Sequence, residues 1–506
     1  MLLSWMSVEV AAAITSIIVI IYVYFTWNYN YWKKRGVHHE KPKLFFGNYK
    51  PVFMVQKTVG NLMEDIYWKN EDQPYVGIFR FRSPALLLRD PDLIKKILVN
   101  DFASFHENAL LITKELDPLL AKSPFFSKGE QWRETRTILS PSFTSGRLKP
   151  LFPLMKEVAE EMVDYIKNNA AFGRPDGIEV KELATKFTTD VVASCAFGIK
   201  GGSFKNPNAE MLKMGKSILE ADFIKNIKFL ITFICPSLGA LLRIRLMPVD
   251  TAKFYYRIIR EVVEFREKNK INRNDYLHQL ISLKHSTGGN AFTDEDVTAH
   301  AVTFMTEGFE TSSITLSFLL YELAMNPDIQ ERLREELETS VKENGGTLNP
   351  DGILALPYLS MVLQETLRMH PPVLTLEKFC TQPYRMQNSS GRSFTLDPGT
   401  LVLIPAQALH RDPKYFPDPH IFDPDRFSEE RKDYINRFAY LPFGEGPRIC
   451  IGMRFAQAQV KMGTALLVLN YDIQRTYKTP ATIVQDPNYF MAAAKGGLWL
   501  NFVKRT

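Results

Sequence analysis

The stretch LPFGEGPRICIGMRFA, residues 441–456, holds a single cysteine, Cys450, in a glycine-rich loop that leads into a helix-forming sequence. Glycine lets backbone N–H groups approach a sulfur atom, and a helix N-terminus favours negative charge, so this loop suits a metal-binding thiolate. A lone buried cysteine elsewhere would usually be inert. The spacing F-x-x-G-x-R-x-C-x-G is complete here, and its members are Phe443, Gly446, Arg448, Cys450 and Gly452.

A second pattern lies upstream, in LSMVLQETLRMHPP, where Glu365 and Arg368 stand three residues apart. That spacing places the two side chains on one helix face, where they can form an ion pair. A lone pair of this kind is weak evidence, since such pairs are usually solvated. Downstream, FDPDRF supplies Arg426 as a third charged residue.

The stretch AVTFMTEGFETSS, residues 301–313, places glutamates inside an otherwise apolar helical pattern. The pattern predicts one long helix that begins after the N-cap Thr293, has acidic residues at 294–296 and ends before Pro327. Its length would be about thirty-two residues, or roughly 48 Å. Gly308 costs about 1 kcal/mol relative to alanine in a helix, which indicates a need for space.

With these motifs in the same order, the sequence resembles the cytochrome P-450 superfamily of haem-thiolate monooxygenases, from about residue 35 to the end. The stretch TTDVVASCAFGI from 188 is most similar to the microsomal, xenobiotic-metabolising branch and its insect members. The resemblance implies a mainly α fold with a minor β region, in which haem lies between the long helix and the Cys450 loop. A cysteine thiolate as axial ligand favours O–O cleavage, so this chemistry would be oxygen activation.

The resemblance also implies how the haem propionates are held. In QWRETR, Trp132 and Arg136 have the W-x-x-x-R spacing that binds one propionate, and an arginine fork suits a carboxylate. Arg448 is a second candidate. Lys378 stands where relatives often have arginine, so it would offer a point charge without bidentate geometry. Glu365, Arg368 and Arg426 are expected to form a structural network behind the haem.

Within the long helix, the resemblance assigns proton delivery to reduced dioxygen to Glu310 and Thr311. Glu307 departs from the common pattern, which has alanine or glycine at this position over the haem. A carboxylate is expensive to bury without compensation. Fatty-acid ω-hydroxylases carry glutamate here and can esterify it to a haem methyl, so a covalent haem link through Glu307 is predicted. A protonated, hydrogen-bonded acid and an acid that binds a polar substrate group remain the alternatives.

The N-terminus contains the uncharged stretch VAAAITSIIVIIYVYFTWNYNYW, residues 10–32, followed by three basic residues. Its length nearly spans a hydrocarbon core of roughly 30 Å. Aromatic residues at its end resemble an interfacial belt, and they are Tyr22, Tyr24, Trp27, Tyr29, Tyr31 and Trp32. The pattern predicts a transmembrane signal-anchor at 1–32, a basic, proline-containing linker at 33–48 and a catalytic domain at 49–506 that faces the cytosol. A cleaved signal peptide is the alternative.

Composition excludes other classes of protein. The 506 residues carry a net charge of only +6 and no arginine-rich arm, which argues against nucleic acid and fits an acidic protein partner or an anionic membrane. The four cysteines are far apart without a CxxC, so a zinc site or disulfide framework is not expected. Most of them are predicted to be free thiols in a reducing compartment.

These features predict a monooxygenase of the endoplasmic reticulum membrane that inserts one oxygen atom from O₂ into a lipophilic small molecule. Haem b is the expected cofactor. Electrons would come from NADPH through a reductase, with cytochrome b5 as a further candidate partner, since no flavin or nicotinamide motif is visible in the sequence. Two alternatives remain: a haem-thiolate peroxide isomerase or dehydratase, and a non-catalytic haem-binding sensor.

Overall fold

The structure is a computed structural model that describes residues 2–168, 176–219, 223–234, 236–286, 292–387 and 391–505. Helices dominate these residues, as the sequence patterns predict. The α-helices are α1 (Leu2–Thr26), α2 (Tyr31–Lys34), α3 (Lys50–Phe53), α4 (Val59–Lys69), α5 (Pro91–Lys95), α6 (Pro118–Ala121), α7 (Gly129–Leu139), α8 (Ser145–Leu148), α9 (Phe152–Asn168), α10 (Val180–Val192), α11 (Glu210–Leu219), α12 (Phe223–Ile234), α13 (Pro236–Leu241), α14 (Val249–Asn269), α15 (Tyr276–Ser286), α16 (Asp294–Gly308), α17 (Glu310–Met325), α18 (Pro327–Glu343), α19 (Pro357–Met369), α20 (Ala406–His410) and α21 (Met453–Asn470). The strands are β1 (Tyr75–Arg80), β2 (Ser83–Leu88), β3 (Glu107–Asn108), β4 (Ile178–Glu179), β5 (Leu376–Phe379), β6 (Tyr384–Gln387), β7 (Ser393–Leu396), β8 (Leu401–Ile404), β9 (Tyr471–Arg475) and β10 (Trp499–Lys504).

The chain divides into two compact units, and the first comprises Met1–Ala109 and Thr375–Ala408. It contains a five-stranded sheet in the order β1-β2-β8-β5-β3 and the hairpin β6-β7. The strands β1 and β2 pair antiparallel, while β2 runs parallel to β8. All residues of β1 are buried, which fits the apolar run from Tyr75 to Phe79, and the buried Arg80 at its end pairs with Glu377.

The first unit also holds the apolar N-terminal helix. Within α1, Val8–Thr26 is long and apolar enough to cross a membrane, with about 28 Å of rise. The prediction that Trp32 belongs to an interfacial aromatic belt is wrong. Its indole is fully buried and donates to the Ile78 carbonyl at 2.9 Å, because the first unit offers it both apolar contacts and a hydrogen-bond acceptor.

The second unit comprises Leu110–Leu374 and Leu409–Thr506. In its core, α17 packs against α10 and α21, and α9 packs against the same two helices. A Cβ atom at Gly463 of α21 would lie 2.8 Å from the Phe187 Cε1 of α10, so glycine permits this close approach. A three-stranded sheet, β4-β10-β9, completes the unit.

The predicted long helix begins and ends where expected but is not continuous. Thr293 is the N-cap, and its side chain and that of Asp296 form a reciprocal capping box. The second helix ends at Met325, before Pro327. The prediction of one unbroken helix is wrong at Phe309, which separates α16 from α17.

Two contacts mark the break. The backbone nitrogen of Phe309 lies 3.3 Å from the carbonyl oxygen of Met305, which is a long distance for a helical hydrogen bond. The Thr311 hydroxyl donates to the Glu307 carbonyl at 2.9 Å. Side-chain donors that reach helix carbonyls draw them off the axis and bend the helix. The break therefore falls between the two glutamates that the sequence singled out.

Candidate functional site

The Cys450 loop is held in shape by its own backbone. Gly446 has a φ of +75°, a conformation that favours glycine. The Cys450 N–H donates to the Phe443 carbonyl at 2.9 Å, so two members of the motif close the loop on each other. Gly452 is the N-cap of α21, which places the cysteine at the helix N-terminus as predicted.

The Cys450 side chain exposes surface, yet protein surrounds its sulfur closely enough for burial to raise the pKa of the thiol to about 11. The Gly452 N–H hydrogen-bonds to the sulfur and opposes this rise in pKa. Glu307 adds to the rise and Arg136 opposes it, so both side chains lie within electrostatic reach of the sulfur.

Arg136, in α7, is a cation within electrostatic reach of the Cys450 sulfur. Burial lowers the pKa of its guanidinium, and the Cys450 sulfur opposes the shift. Among the residues that the structure describes, no carboxylate or hydrogen-bond acceptor pairs with this guanidinium. A desolvated arginine without a protein anion suits the carboxylate of a bound group.

Trp132 lies one turn before Arg136 in α7, and it contacts Arg448 of the cysteine loop. Trp132 is buried, and the Arg448 guanidinium stacks over its ring at 4.3 Å. Arg448 also donates to the carbonyls of Pro124 and Ser127, at 2.8 Å and 2.9 Å. These contacts fix the arginine plane against the loop that precedes α7.

These residues fit the haem that the resemblance implies. Cys450 would bind the iron, because a thiol loses its proton when it coordinates a metal. Arg136 would hold a propionate, since it is a half-buried cation near the sulfur that pairs with no anion among the described residues. Trp132 and Arg448 would border the same carboxylate region.

Glu307 lies within electrostatic reach of Cys450. Its carboxyl group is enclosed by protein, and burial raises its pKa to about 7, while a hydrogen bond from Ser123 opposes the rise. The Ser123 hydroxyl donates to Oε1, and among the described residues Oε2 has no partner. Nothing in the sequence indicated Ser123, because it lies 184 residues from Glu307 and in no recognisable motif.

Gly308 follows Glu307 and is also partly accessible. A Cβ atom there would contact Val192 at 3.5 Å, an ordinary separation. Packing between helices therefore does not require glycine at this position. The absence of a side chain leaves space on the accessible face of the helix.

Glu310 begins α17 and lies in a different environment. Its carboxylate is paired with the Lys181 ammonium, at 3.0 Å and 3.1 Å from its two oxygens. Both residues line a cavity of about 340 Å³ that Glu182, Lys216 and Asp486 also border. Lys181 could not be identified from sequence, since it lies 129 residues upstream on α10. Charged side chains therefore line the cavity that Glu310 borders.

Thr311 lies one turn after Glu307, on the same side of the helix. Its hydroxyl proton is committed to the Glu307 carbonyl, which leaves the oxygen free to accept a hydrogen bond. The side chain is partly accessible. In this conformation Thr311 can orient a donor such as water.

The Glu365–Arg368 ion pair is present and fully buried. The Arg368 Nε and Nη2 atoms donate to the two carboxylate oxygens at 2.7 Å and 2.8 Å. Arg426 adds a third bond through its Nε atom, at 3.2 Å. The Glu365 carboxylate thus balances the charge of two buried guanidinium groups, those of Arg368 and Arg426.

His410 connects this network to the cysteine loop. The Leu441 N–H donates to its Nε2 at 2.8 Å, so the proton of the neutral ring is on Nδ1, which lies 3.1 Å from the Arg368 carbonyl. Burial and the nearby Arg368 lower the pKa of His410 to about 3, which keeps the ring neutral. Arg368 in turn donates to the His410 carbonyl at 2.8 Å. The ion-pair network therefore reaches the residue at which the cysteine stretch begins.

Lys378 lies in the first unit, on β5. It is buried, and its ammonium donates to the Asn108 Oδ1 on β3 at 2.6 Å. The propionate-binding role of Lys378 stays a prediction.

The sequence profile of the family "Cytochrome P450" matches residues 38–500. Similar known proteins include "Cytochrome P450 6j1" of Blattella germanica, which is 38% identical, with 98% of each chain covered. "Cytochrome P450 6k1" of the same species is 36% identical, with 97% of this chain and 96% of the relative covered. "Probable cytochrome P450 6g2" of Drosophila melanogaster is 36% identical, with 97% and 98% covered. With the thiol site described above, these matches show that the chain belongs to the cytochrome P450 family of monooxygenases.

Proposed function

We propose that this P450 oxidises a lipophilic small molecule, such as a xenobiotic, steroid or fatty-acid-like compound. The observation that carries the proposal is the cluster of Cys450, Arg136 and Glu307, in which both charged side chains lie within electrostatic reach of the thiol. When bound there, haem b supplies activation of O₂ with two electrons, and a cysteine ligand favours O–O cleavage. The electrons come from NADPH through a separate reductase, with cytochrome b5 as a further donor.

Haem binding is divided among residues of distinct chemistry. Cys450 binds the iron, while Arg136, Trp132 and Arg448 hold a propionate. Phe443, Gly446 and Gly452 shape the loop around the sulfur. Lys378 is proposed for the propionate region because of its position in the family pattern.

Glu310 and Thr311 supply protons in this proposal. Glu310 exchanges protons with solvent through the polar cavity that it shares with Lys181, and Thr311 orients water on the side of Glu307. The break at Phe309 separates the helix that carries Glu307 from the helix that carries the relay.

Replacing Glu310 with glutamine is expected to lower the rate of product formation about 100-fold, the lower range for loss of a general acid. Product formation is measured with a saturating reductase, together with the solvent isotope effect, which should rise. The matched control is Glu182→Gln, since Glu182 lines the same cavity and should tolerate the change. Equal rates for the two variants would contradict the relay.

The covalent link between Glu307 and a haem methyl stays a prediction. Its support is a carboxyl group near Cys450 whose pKa is raised to about 7 and whose second oxygen has no partner in the part of the chain that the structure describes. After turnover, acid-acetone extraction is expected to leave haem attached to the parent chain and to remove it fully from Glu307→Gln. Complete extraction from the turned-over parent would contradict the link.

The membrane location rests on α1. We assign residues 1–32 to a single-pass anchor in the endoplasmic reticulum, 33–48 to a connection and 49–506 to a catalytic domain in the cytosol. The support is the apolar segment Val8–Thr26, whose side chains are not buried in the protein, followed by the basic Lys33, Lys34 and Arg35.

One assay separates the monooxygenase from the peroxide isomerase or dehydratase and from the sensor. The full chain is reconstituted with the reductase in lipid vesicles, and NADPH oxidation is measured together with oxygenated product in a screen of lipophilic compounds. Only the monooxygenase consumes NADPH with substrate-dependent product. Peroxide rearrangement without NADPH, or neither activity, would contradict the proposal.

A further inference from the structure

Gln459 makes two buried hydrogen bonds in the second unit that the proposed function does not yet use. This residue lies in α21, the helix that follows the Cys450 loop, and its side chain is fully buried. Its Nε2 donates to the Gly308 carbonyl at 2.9 Å and to the Ser312 hydroxyl oxygen at 2.6 Å. One amide group therefore reaches acceptors on both sides of Phe309.

These contacts bear on the stability of the break. A buried carbonyl that leaves helical geometry must find another donor, because an unsatisfied one costs free energy. The Glu307 carbonyl receives the Thr311 hydroxyl, and the Gly308 carbonyl receives the Gln459 amide. Two successive carbonyls thus accept side-chain donors, which favours the broken helix over a continuous one.

We propose that Gln459 is a positioning residue that fixes the break between α16 and α17. It thereby sets the direction of the Thr311 hydroxyl and the Glu310 carboxylate. It also ties both to the helix that begins at the Cys450 loop. This inference rests on the proposed monooxygenase function, since proton delivery is what the positioning serves.

The consequence concerns the fate of electrons. In the coupled reaction, RH, O₂, NADPH and H⁺ give ROH, H₂O and NADP⁺. When protons arrive at the wrong place, O₂, NADPH and H⁺ give H₂O₂ and NADP⁺ without product. Both reactions consume two electrons, so the ratio of H₂O₂ to product reports the positioning.

The test is Gln459→Met, which keeps the side-chain length but removes the donors. We expect the ratio of H₂O₂ to product to rise about fivefold, the factor that corresponds to one typical hydrogen bond. Amide hydrogen exchange of a peptide covering 309–313 should become faster, with or without turnover. The matched control is Gln457→Met, the same change on the same helix, and it should match the parent in both measurements.

Parent-like coupling and exchange in Gln459→Met, with haem bound, would overturn the inference. If that variant does not bind haem, Gln459→Glu decides, because the new acid can donate to Gly308 only when protonated. Relative to the parent at each pH, its ratio of H₂O₂ to product should rise as the pH is raised and the new acid loses its proton. Parent-like coupling at pH 8.5 would overturn the inference. A parent that forms no product refutes the proposed function instead.

Discussion

Cys450→Ser is expected to reduce NADPH-dependent product formation to less than about one thousandth of the parent rate, a loss of at least ~4 kcal/mol of transition-state stabilisation. A serine hydroxyl ionises far less readily than a thiol and does not donate electron density as a thiolate does. The loop itself should persist, because it is closed by the bond from the residue 450 N–H to the Phe443 carbonyl. The measurement is product per haem at saturating reductase and O₂.

Cys380→Ser is the control for loss of a thiol. The Cys380 thiol is buried and donates to the Gln382 carbonyl at 3.0 Å, a bond that serine can keep. We expect this variant to retain the parent rate. Product formation by Cys450→Ser at a comparable rate would remove the thiolate from the account.

Glu365→Gln is expected to have the largest effect on stability. The Glu365 and Arg368 side chains are 0% exposed, and Arg426 is 5% exposed, so the neutral amide leaves two buried cations without an anion. Breaking a buried pair in this way costs about 3–5 kcal/mol. The expected result is a lower urea midpoint for loss of the Soret band and of helical circular dichroism, measured on the full chain in detergent.

The chain offers a matched control with the same spacing. Glu331 and Arg334 on α18 also form an i,i+3 ion pair, but the Glu331 side chain is 56% exposed. The Arg334 guanidinium is buried, yet it also pairs with Asp472 at 2.8 Å, so it keeps an anion when Glu331 is neutralised. Exposed pairs contribute less than about 1 kcal/mol, so Glu331→Gln should move the midpoint little. Equal shifts of the urea midpoint for the two variants would contradict the claim that burial makes the Glu365–Arg368 pair important for stability.

Patterns within a short segment were predictable. The Cys450 loop, the Glu365–Arg368 pair and the Thr293 cap each depend on residues within one or two turns, and the structure shows each of them.

Features that depend on distant partners were not predictable. The break at Phe309 involves Gln459, the pairing of Glu310 involves Lys181, and the bond to Glu307 comes from Ser123. No single segment records that these residues meet. For the same reason Trp32 looked like part of a membrane belt, although its acceptor is Ile78 in β1.

Sequence and structure also differ in what they say about the two glutamates. The sequence pattern placed Glu307 and Glu310 in one continuous helix, although the resemblance gave them different roles. The structure separates them, since Glu307 is near Cys450 and Glu310 is ion-paired in the cavity of Lys181. Their substitutions should therefore affect different properties: haem attachment for Glu307 and proton supply for Glu310.

The central claim is that Cys450 binds haem iron as a thiolate. The most direct test is the carbon monoxide difference spectrum of the dithionite-reduced full chain in detergent. The account predicts a Soret band at the long-wavelength position typical of a thiolate ligand, and its absence from Cys450→Ser. A parent spectrum of the kind given by histidine-ligated haem, or no carbon monoxide complex in a haem-loaded chain, would contradict it.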